Sequence, residues 1–245
     1  MVGLDVTQGL PRVEELFESR IPKTLSPIAE FAGKVRITET EEGYNVTLTT
    51  VDEKPAKEEV YTIPLSFELK VKDKQLVAGG TQLASGFLDL KEVLRIRGLR
   101  GAQTYLLQEL QNVYESQGIM IDDRHFEVII RKMSDKVRIK DSGDSTFLVG
   151  EIVDRVRFEE ENARILAAGG GPATAEVILL GISQATFHTD SWLSAASFEN
   201  TSNVLTEAAV LGRVDRLVGL KENVIIGRLI PTSPERAVIE ESMTG

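Results

Sequence analysis

The chain has 245 residues, a net charge of −10 and an apolar fraction of 42%, values that suit one large domain or two to three small modules with a buried core. It has no cysteine, which excludes disulfides, thiolate zinc sites, iron–sulfur clusters and cysteine nucleophiles, and favours a reducing cytoplasm. No run of about 18 apolar residues is present and residues 1–5 do not resemble a signal peptide, so we expect neither membrane insertion nor secretion. A nucleic-acid contact would need a local basic patch or a basic partner subunit.

The first third predicts a short helix followed by a small β module. Leu10, Val13 and Phe17 recur at helical spacing, and Pro11 suits the first turn. Residues 20–22 should end this helix, because a proline restricts the residue before it. Strand patterns follow at residues 34–37, 44–48 and 60–63, and residues 68–80 alternate and then turn as in compact β-barrels or sandwich-barrels.

The middle third predicts two helices. From Asp89 the period becomes helical, with Ala102, Leu106, Leu110 and Val113 on one face until Gly118. Asp122 or Asp123 can cap the second helix. Its core stripe comprises Phe126, Ile129, Ile130 and Met133.

The last part predicts a second β module and a mainly helical end. Residues 136–139 echo residues 34–37, a helix over about residues 160–168 ends at three glycines, and residues 175–180 have the apolar run of a buried strand. Ser191 can cap a helix, and a later stripe ends at Gly212 after Val204, Leu205, Ala208 and Ala209. The predicted class is α+β: small β-barrel or sandwich-barrel-like modules joined to helical segments.

Local motifs do not support a stand-alone enzyme. The glycines at 169–171 follow a helix, so they predict a helix stop rather than a phosphate loop. His125 and His188 have no second ligand at metal spacing, and a structural or surface role is the simpler interpretation than catalysis. Asp154 with residues 159–161 could bind Mg²⁺, or could form a solvated helical face.

Basic residues form two candidate phosphate contacts. The first run comprises Lys91, Arg95, Arg97 and Arg100, of which the three arginines are the main candidates. The second comprises Lys132, Lys136, Arg138 and Lys140. Salt bridges to the many acidic residues are the alternative for both runs.

Three segments resemble the beta-prime subunit of bacterial DNA-directed RNA polymerase. Residues 5–20, DVTQGLPRVEELFESR, are similar to the C-terminal arm of that family's trigger loop, which folds over the incoming nucleotide and unfolds for translocation. Residues 113–133, with VYESQGI and DDRHFEVIIRKM, are similar to the helical part after the jaw. Residues 180–231, with SAASF, LTEAA and GLKENVIIGRLIP, resemble the switch 1 and clamp-base region.

The resemblance assigns site residues to two of these segments. The trigger-loop arm would comprise Thr7, Gln8, Gly9, Leu10, Pro11 and Arg12. The nucleic-acid and switch contacts would comprise Ser183, Gln184, Ser194, Ala195, Ala196, Ser197 and Phe198. Gln184 replaces a common family lysine, and the family's glycine-rich ending is replaced at residues 232–236, which puts those contacts in doubt.

The family's Mg²⁺-binding Asp loop and its zinc-binding cysteines have no counterpart here. The resemblance therefore implies a chain that begins in mid-loop, holds no catalytic or metal residue, and is inactive alone, with Mg and Zn in the rest of the subunit. It implies nucleotidyl transfer in transcription elongation by the assembled enzyme. Implied partners are the remainder of beta-prime, beta, omega, alpha and sigma, with DNA and RNA but no membrane, in the cytoplasm at the nucleoid.

The implied segments are, in chain order, the trigger-loop arm, the β-rich jaw module, a helical segment, the second β module, the switch and clamp-base region, and a mobile tail. Their bounds are 1–22, 23–90, 91–135, 136–180, 181–231 and 232–245. Within the first, Gly9 and Pro11 suit a hinge of a lid over residues 7–17, and a plain connector helix is the alternative.

Two further alternatives stay open. The small residues from Ser194 to Ser197 could let a nucleic acid approach the backbone, or could serve helix packing. The whole chain could instead be a free-standing, non-catalytic interaction module that docks on polymerase.

Overall fold

A computed structural model describes residues 9–41, 43–51 and 57–232. The chain divides into two compact units, Met1–Ile182 and Ser183–Gly245. The six predicted segment boundaries are finer than this division and stay a prediction. Thr7, Gln8 and the predicted mobile tail from residue 233 onward lie outside the described residues.

The first unit begins with helix α1 (Leu10–Phe17) and a four-stranded antiparallel sheet that curls into a half-barrel. Its strands are β1 (Gly33–Thr40), β2 (Gly43–Thr49), β3 (Glu58–Pro64) and β4 (Leu76–Val77), in the order β3-β2-β1-β4. Alternate residues enter the core, as the period of two requires, including Val35, Val46, Leu48 and Ile63. The predicted strands are confirmed, although residues 68–80 contribute only the two residues of β4 and isolated bridges.

Two helices pack beside this sheet and form the largest core cluster of the first unit. Helix α2 (Leu90–Ser116) is kinked at Gly98, whose φ of 72° lies in the left-handed region that favours glycine. Helix α3 (Asp123–Met133) follows. The predicted cap of α3 is confirmed and is Asp122 rather than Asp123, since Asp122 accepts a hydrogen bond from the Arg124 N–H. Asp89, which was not predicted as a cap, caps α2 by accepting a hydrogen bond from the Lys91 N–H.

The first unit ends with a small three-stranded antiparallel sheet. Its strands are β5 (Lys136–Asp141), β6 (Ile152–Asp154) and β7 (Thr174–Val177), in the order β6-β5-β7, and helix α4 (Arg155–Ala167) lies between β6 and β7 in the chain. The predicted strand over residues 175–180 is confirmed only as far as Val177, and the prediction that it is buried is wrong. The four residues of β7 alternate between exposed and half-buried, because successive side chains of a strand point to opposite faces of the sheet. The α+β fold class is confirmed.

Short helices build the second unit. They are α5 (Ile182–Phe187), which starts at the unit boundary, α6 (Trp192–Ala196), α7 (Thr201–Val210) and α8 (Leu220–Ile225). The Ser191 cap is confirmed, since its hydroxyl accepts a hydrogen bond from the Ser194 N–H. Only Ala208 of the predicted stripe is buried. Among the described helices, none is both long and apolar enough to cross a membrane.

Candidate functional site

Helix α1 carries the described part of the predicted trigger-loop arm. Gly9 lies at its N-cap position, and the Gly9 carbonyl accepts hydrogen bonds from the N–H groups of Arg12 and Val13. Leu10 and Pro11 are exposed, whereas Leu16 enters the core of the first unit. The helix therefore has one face fixed by the fold, while its first two residues are exposed.

Arg12 holds this helix to its surroundings through a buried guanidinium group. The residue is only 2% exposed. Its Nη2 donates to Glu109 Oε2 of α2 at 2.9 Å, and its Nη1 donates to Glu15 Oε2 at 3.3 Å. The guanidinium carbon lies 3.7 Å from the centre of the Phe87 ring, a cation–π contact. The four-residue spacing to Leu16 could have indicated that Arg12 faces inward, but no local signal identifies a partner 97 residues away.

Tyr105 lies next to this cluster and connects it to the start of α2. Its hydroxyl oxygen accepts a hydrogen bond from the Leu88 N–H at 2.9 Å. Burial and the nearby charge of Glu109 raise the pKa of Tyr105 to about 12. Tyr105 is therefore a neutral, fixed hydroxyl at physiological pH.

Two of the three candidate phosphate-binding arginines have intramolecular partners. Arg95 forms an ion pair with Glu30, and the hydrogen bond from Arg95 holds the pKa of the Glu30 carboxyl below its usual value. Arg97 donates through Nε to the Gly80 carbonyl at 2.8 Å. Arg100 is exposed. Salt bridging therefore accounts for Arg95, and phosphate binding by all three stays a prediction.

The second basic run is also used in ion pairs. Lys132 contacts Asp135, Lys136 contacts Asp154, and Lys140 contacts Glu176, at 3.1, 3.1 and 3.2 Å between nitrogen and oxygen. Lys136 is buried, whereas Arg138 is exposed. These lysines contribute to the second sheet and its surface.

The carboxylates proposed for Mg²⁺ are engaged in the fold. Asp154 caps α4 by accepting a hydrogen bond from the Val156 N–H. Burial acts to raise the pKa of Asp154, but the hydrogen bonds from Lys136 and Val156 outweigh it, so the pKa is lowered. Glu159 and Glu161 pair with arginines on α4. Within the described ranges, no group of three or more histidine, aspartate or glutamate side chains is placed to hold a metal. His125 is exposed on α3, and His188 follows α5.

A surface cavity of about 420 Å³ lies between β3 and the start of α2, and the sequence did not predict it. The Tyr61 hydroxyl donates to Glu59 at 2.9 Å and accepts from the Glu30 N–H at 3.1 Å. Burial raises the pKa of both Tyr61 and Glu59. Because Glu30 and Tyr61 are 31 residues apart, no spacing rule could bring them together.

The predicted switch residues in the second unit occupy two short helices. Ser183 is half-buried and Gln184 exposed in α5, while Ala195 and Ala196 are buried in α6. Ser194 lies in α6 and Ser197 at its C-cap. The exposed Phe198 ring meets the Phe187 ring edge-on, with 5.8 Å between centroids. Burial of the two alanines accords with a packing role, and nucleic-acid contact stays a prediction.

Asp215 fixes the start of helix α6 and was not predicted. One carboxylate oxygen accepts hydrogen bonds from the Ser191 hydroxyl at 2.6 Å and from the Leu193 N–H at 3.1 Å. The other oxygen accepts from the Leu217 N–H at 3.0 Å. Three donors on one carboxylate fix the chain around α6.

Comparison with known proteins assigns this combination of modules to one family. The family model described as RNA polymerase Rpb1, domain 5, matches residues 5–193. The chain belongs to the RNA polymerase Rpb1, domain 5 family. As a domain 5 chain, it includes α1, both sheets and α2 to α4 within the matched region, and the match ends at the start of α6.

Three relatives of this domain 5 chain carry the name DNA-directed RNA polymerase subunit beta'. Those of Caldanaerobacter subterraneus and Acidothermus cellulolyticus are each 51% identical over 231 and 232 residues, covering 94% of this chain and 19% and 18% of their own. The relative from Thermobifida fusca is 49% identical over 229 residues, with 94% and 18% coverage. The chain thus spans about a fifth of the length of these curated relatives.

Proposed function

We propose that this chain is a segment of the largest subunit of a DNA-dependent RNA polymerase and acts in transcription elongation. The observation that carries the proposal is similarity near 50% identity along 94% of the chain to subunits of that name. Nucleotidyl transfer belongs to the assembled enzyme, because this chain supplies no catalytic carboxylate loop. In that assembly the chain contributes part of a moving lid and contacts with nucleic acid and with other parts of the enzyme.

The finer roles follow the three resembling segments. Helix α1 is the base of a lid that closes over the incoming nucleotide, and the exposure of Leu10 and Pro11 beside a buried face supports this role. Phosphoryl transfer depends on positioning and charge stabilisation, so a lid can control rate without holding a metal. The curled sheet acts as the downstream-DNA jaw, and the second unit supplies switch and clamp contacts.

The proposed role also defines cofactors and partners. Mg²⁺ and Zn²⁺ are held by the rest of the subunit, and the partners are that remainder with beta, omega, alpha and sigma, together with DNA and RNA. A cytoplasmic, nucleoid-associated location follows from the same role. Arg100 is the first of the three arginines to test for DNA contact, because Arg95 is held by Glu30 and Arg97 by the Gly80 carbonyl, whereas Arg100 is exposed with no such partner among the described residues.

An epitope tag added at the gene's own locus tests the proposal. The tagged complex, purified under native conditions, should synthesise RNA from a DNA template, and the tagged polypeptide should carry the catalytic metal site. A complex without template-dependent synthesis would contradict the proposal. A separate small tagged polypeptide, removable without loss of synthesis, would instead identify a free-standing module that docks on polymerase.

A further inference from the structure

The buried guanidinium of Arg12 joins three parts of the first unit. Its acceptors are Glu15 in the same helix and Glu109 on α2, and its planar face lies on the Phe87 ring just before α2. Phe87 is itself fixed to the segment that precedes β1, since its N–H donates to the Thr24 carbonyl and its carbonyl accepts from the Ser26 N–H. One side chain therefore links α1 both to α2 and, through Phe87, to the segment between α1 and β1.

An apolar residue would be simpler at this position if only packing mattered. Burying a charge carries a desolvation cost that ion pairing offsets only with good geometry, and replacing buried ion pairs by apolar residues is often neutral or stabilising. Here the Arg12 Nε is also buried without a hydrogen-bond partner, which adds to that cost. What the arginine adds is a fixed orientation of α1, because its planar guanidinium group must contact two carboxylates and one ring face at the same time.

This geometry fixes how α1 is rotated and where it lies along α2. Successive residues of a helix are about 100° apart around the axis, so a slip by one residue would turn Arg12 away from Glu109. The slip would place Pro11 or Val13 against the carboxylate, and neither side chain can pair with it. The buried pair thus specifies one register of α1.

We propose that Arg12 is a positioning residue, and we call its contacts with Glu109 of α2 and with the Phe87 ring the pin. The pin holds the base of the lid, so that α1 keeps one orientation while the lid closes and opens. This inference rests on the proposed polymerase function. Without the pin, the lid closes from a displaced base. A misplacement of about 1 Å can lower the rate of a chemical step by about 100-fold. Since the lid acts by positioning the nucleotide for reaction, we expect the loss of the pin to lower the rate of nucleotide addition rather than the affinity for the nucleotide.

The test uses the complete polymerase assembled with the full-length subunit that contains this segment. The variants are Arg12→Ala, which removes the pin, Arg12→Lys, which keeps a charge but loses the planar fork, and Glu109→Gln, which removes the partner's charge. Arg164→Ala is the matched control, because Arg164 is an ion-paired arginine of the same unit that is exposed on α4. Single-nucleotide addition is measured at a range of nucleotide concentrations, so that kcat and KM separate.

We expect kcat to fall by about 10- to 100-fold for Arg12→Ala, with a smaller fall for Arg12→Lys and Glu109→Gln, and KM to change by less than about threefold. Arg164→Ala should match the wild type. The pin is refuted by an unchanged kcat in assembled Arg12→Ala, by an equal loss in Arg164→Ala, or by a rise in KM alone. If Arg12→Ala does not assemble, Arg12→Lys and Glu109→Gln decide by the same criteria. A wild-type assembly that makes no RNA would refute the proposed function instead.

Discussion

The two units of the chain bury different kinds of side chain. In the first unit the core contains large residues such as Leu48, Leu106, Phe126 and Met133. In the described part of the second unit, the buried residues are three alanines and two polar residues, namely Ala195, Ala196, Ala208, Glu222 and Asn223. Large apolar residues there are exposed, among them Val210, Val214, Leu220, Val224 and Leu229.

The difference teaches that the two units rely on different interactions. Burial of apolar area stabilises the first unit. In the second unit, hydrogen bonds from buried or half-buried polar side chains contribute much of the stability. Asp215 accepts three hydrogen bonds. The Asn223 amide donates to the carbonyls of Leu217 and Gly219 at 2.6 and 2.7 Å. The exposed large apolar side chains of the second unit are of the kind that a protein interface covers.

The largest effect should come from the core of the first unit. Leu106→Ala removes a fully buried side chain and should lower the free energy of unfolding by about 2 to 5 kcal/mol. Leu205→Ala, at a residue 43% exposed in the second unit, should cost about 1 kcal/mol or less. Urea denaturation followed by circular dichroism measures both, and equal losses would contradict the comparison.

The next effect isolates the polar network of the second unit. Asp215→Asn weakens three hydrogen bonds to a charged acceptor and should lower the stability of this unit by about 1.5 to 3 kcal/mol. Trp192 is the only tryptophan of the chain and follows Ser191, so its fluorescence reports on this site during urea denaturation. Glu207→Gln, which removes an exposed ion pair with Arg213, serves as the control. An unchanged Trp192 transition in Asp215→Asn would mean that another interaction holds α6.

A pH titration tests Asp154, a carboxylate of the first unit that caps α4 as Asp215 fixes α6 in the second. The pKa of Asp154 is lowered in the folded state, so the stability it adds is present above its unfolded pKa and is lost as the pH falls through the folded value. Asp154→Asn keeps a capping side chain but removes the charge beside Lys136. Its cost should be about 1 kcal/mol near neutral pH and should shrink below about pH 4. A cost independent of pH would exclude the ion pair as the cause.

The smallest effect on stability should come from the exposed apolar residues of the second unit. Val210→Ser, Val214→Ser and Leu229→Ser should each change the free energy of unfolding by about 0.5 kcal/mol or less, since these side chains are already in water. If they form an interface in the polymerase, the triple variant should assemble less well with the other subunits. Full stability with full assembly would mean that this surface is not an interface.

Features that depend on local spacing could be predicted from the sequence. The predicted caps at Asp122 and Ser191 lie where a short polar side chain precedes an apolar helical period, and the structure confirms them. Asp89 precedes α2 in the same way and is its N-cap, although it was not predicted as one. The apolar face of α2 was predictable for the same reason, since its residues recur every three to four positions.

Features that depend on distant partners could not be predicted. The ion pair between Arg12 and Glu109 joins residues 97 positions apart, and the cavity beside Tyr61 joins three separate segments. The error at β7 has a different cause, because a short apolar run does not by itself reveal where its strand ends or whether the strand is buried. The resemblance to the polymerase family assigned the candidate site residues, and the trigger-loop arm and the switch contacts, including Gln184, stay predictions.

Gly9 offers the most direct test of the central claim, that α1 is the base of a moving polymerase lid. In the described conformation Gly9 has a φ of −101°, and a Cβ there would meet no atom of the described residues beyond its chain neighbour within 4 Å. The folded chain should therefore tolerate Gly9→Ala, and Pro11→Ala can be added to free the next fixed φ. The measurement is the rate of elongation and pausing in the complete enzyme. The account predicts normal assembly with altered elongation and pausing, because the lid must visit a second conformation. Unchanged elongation and pausing in the double variant would contradict it.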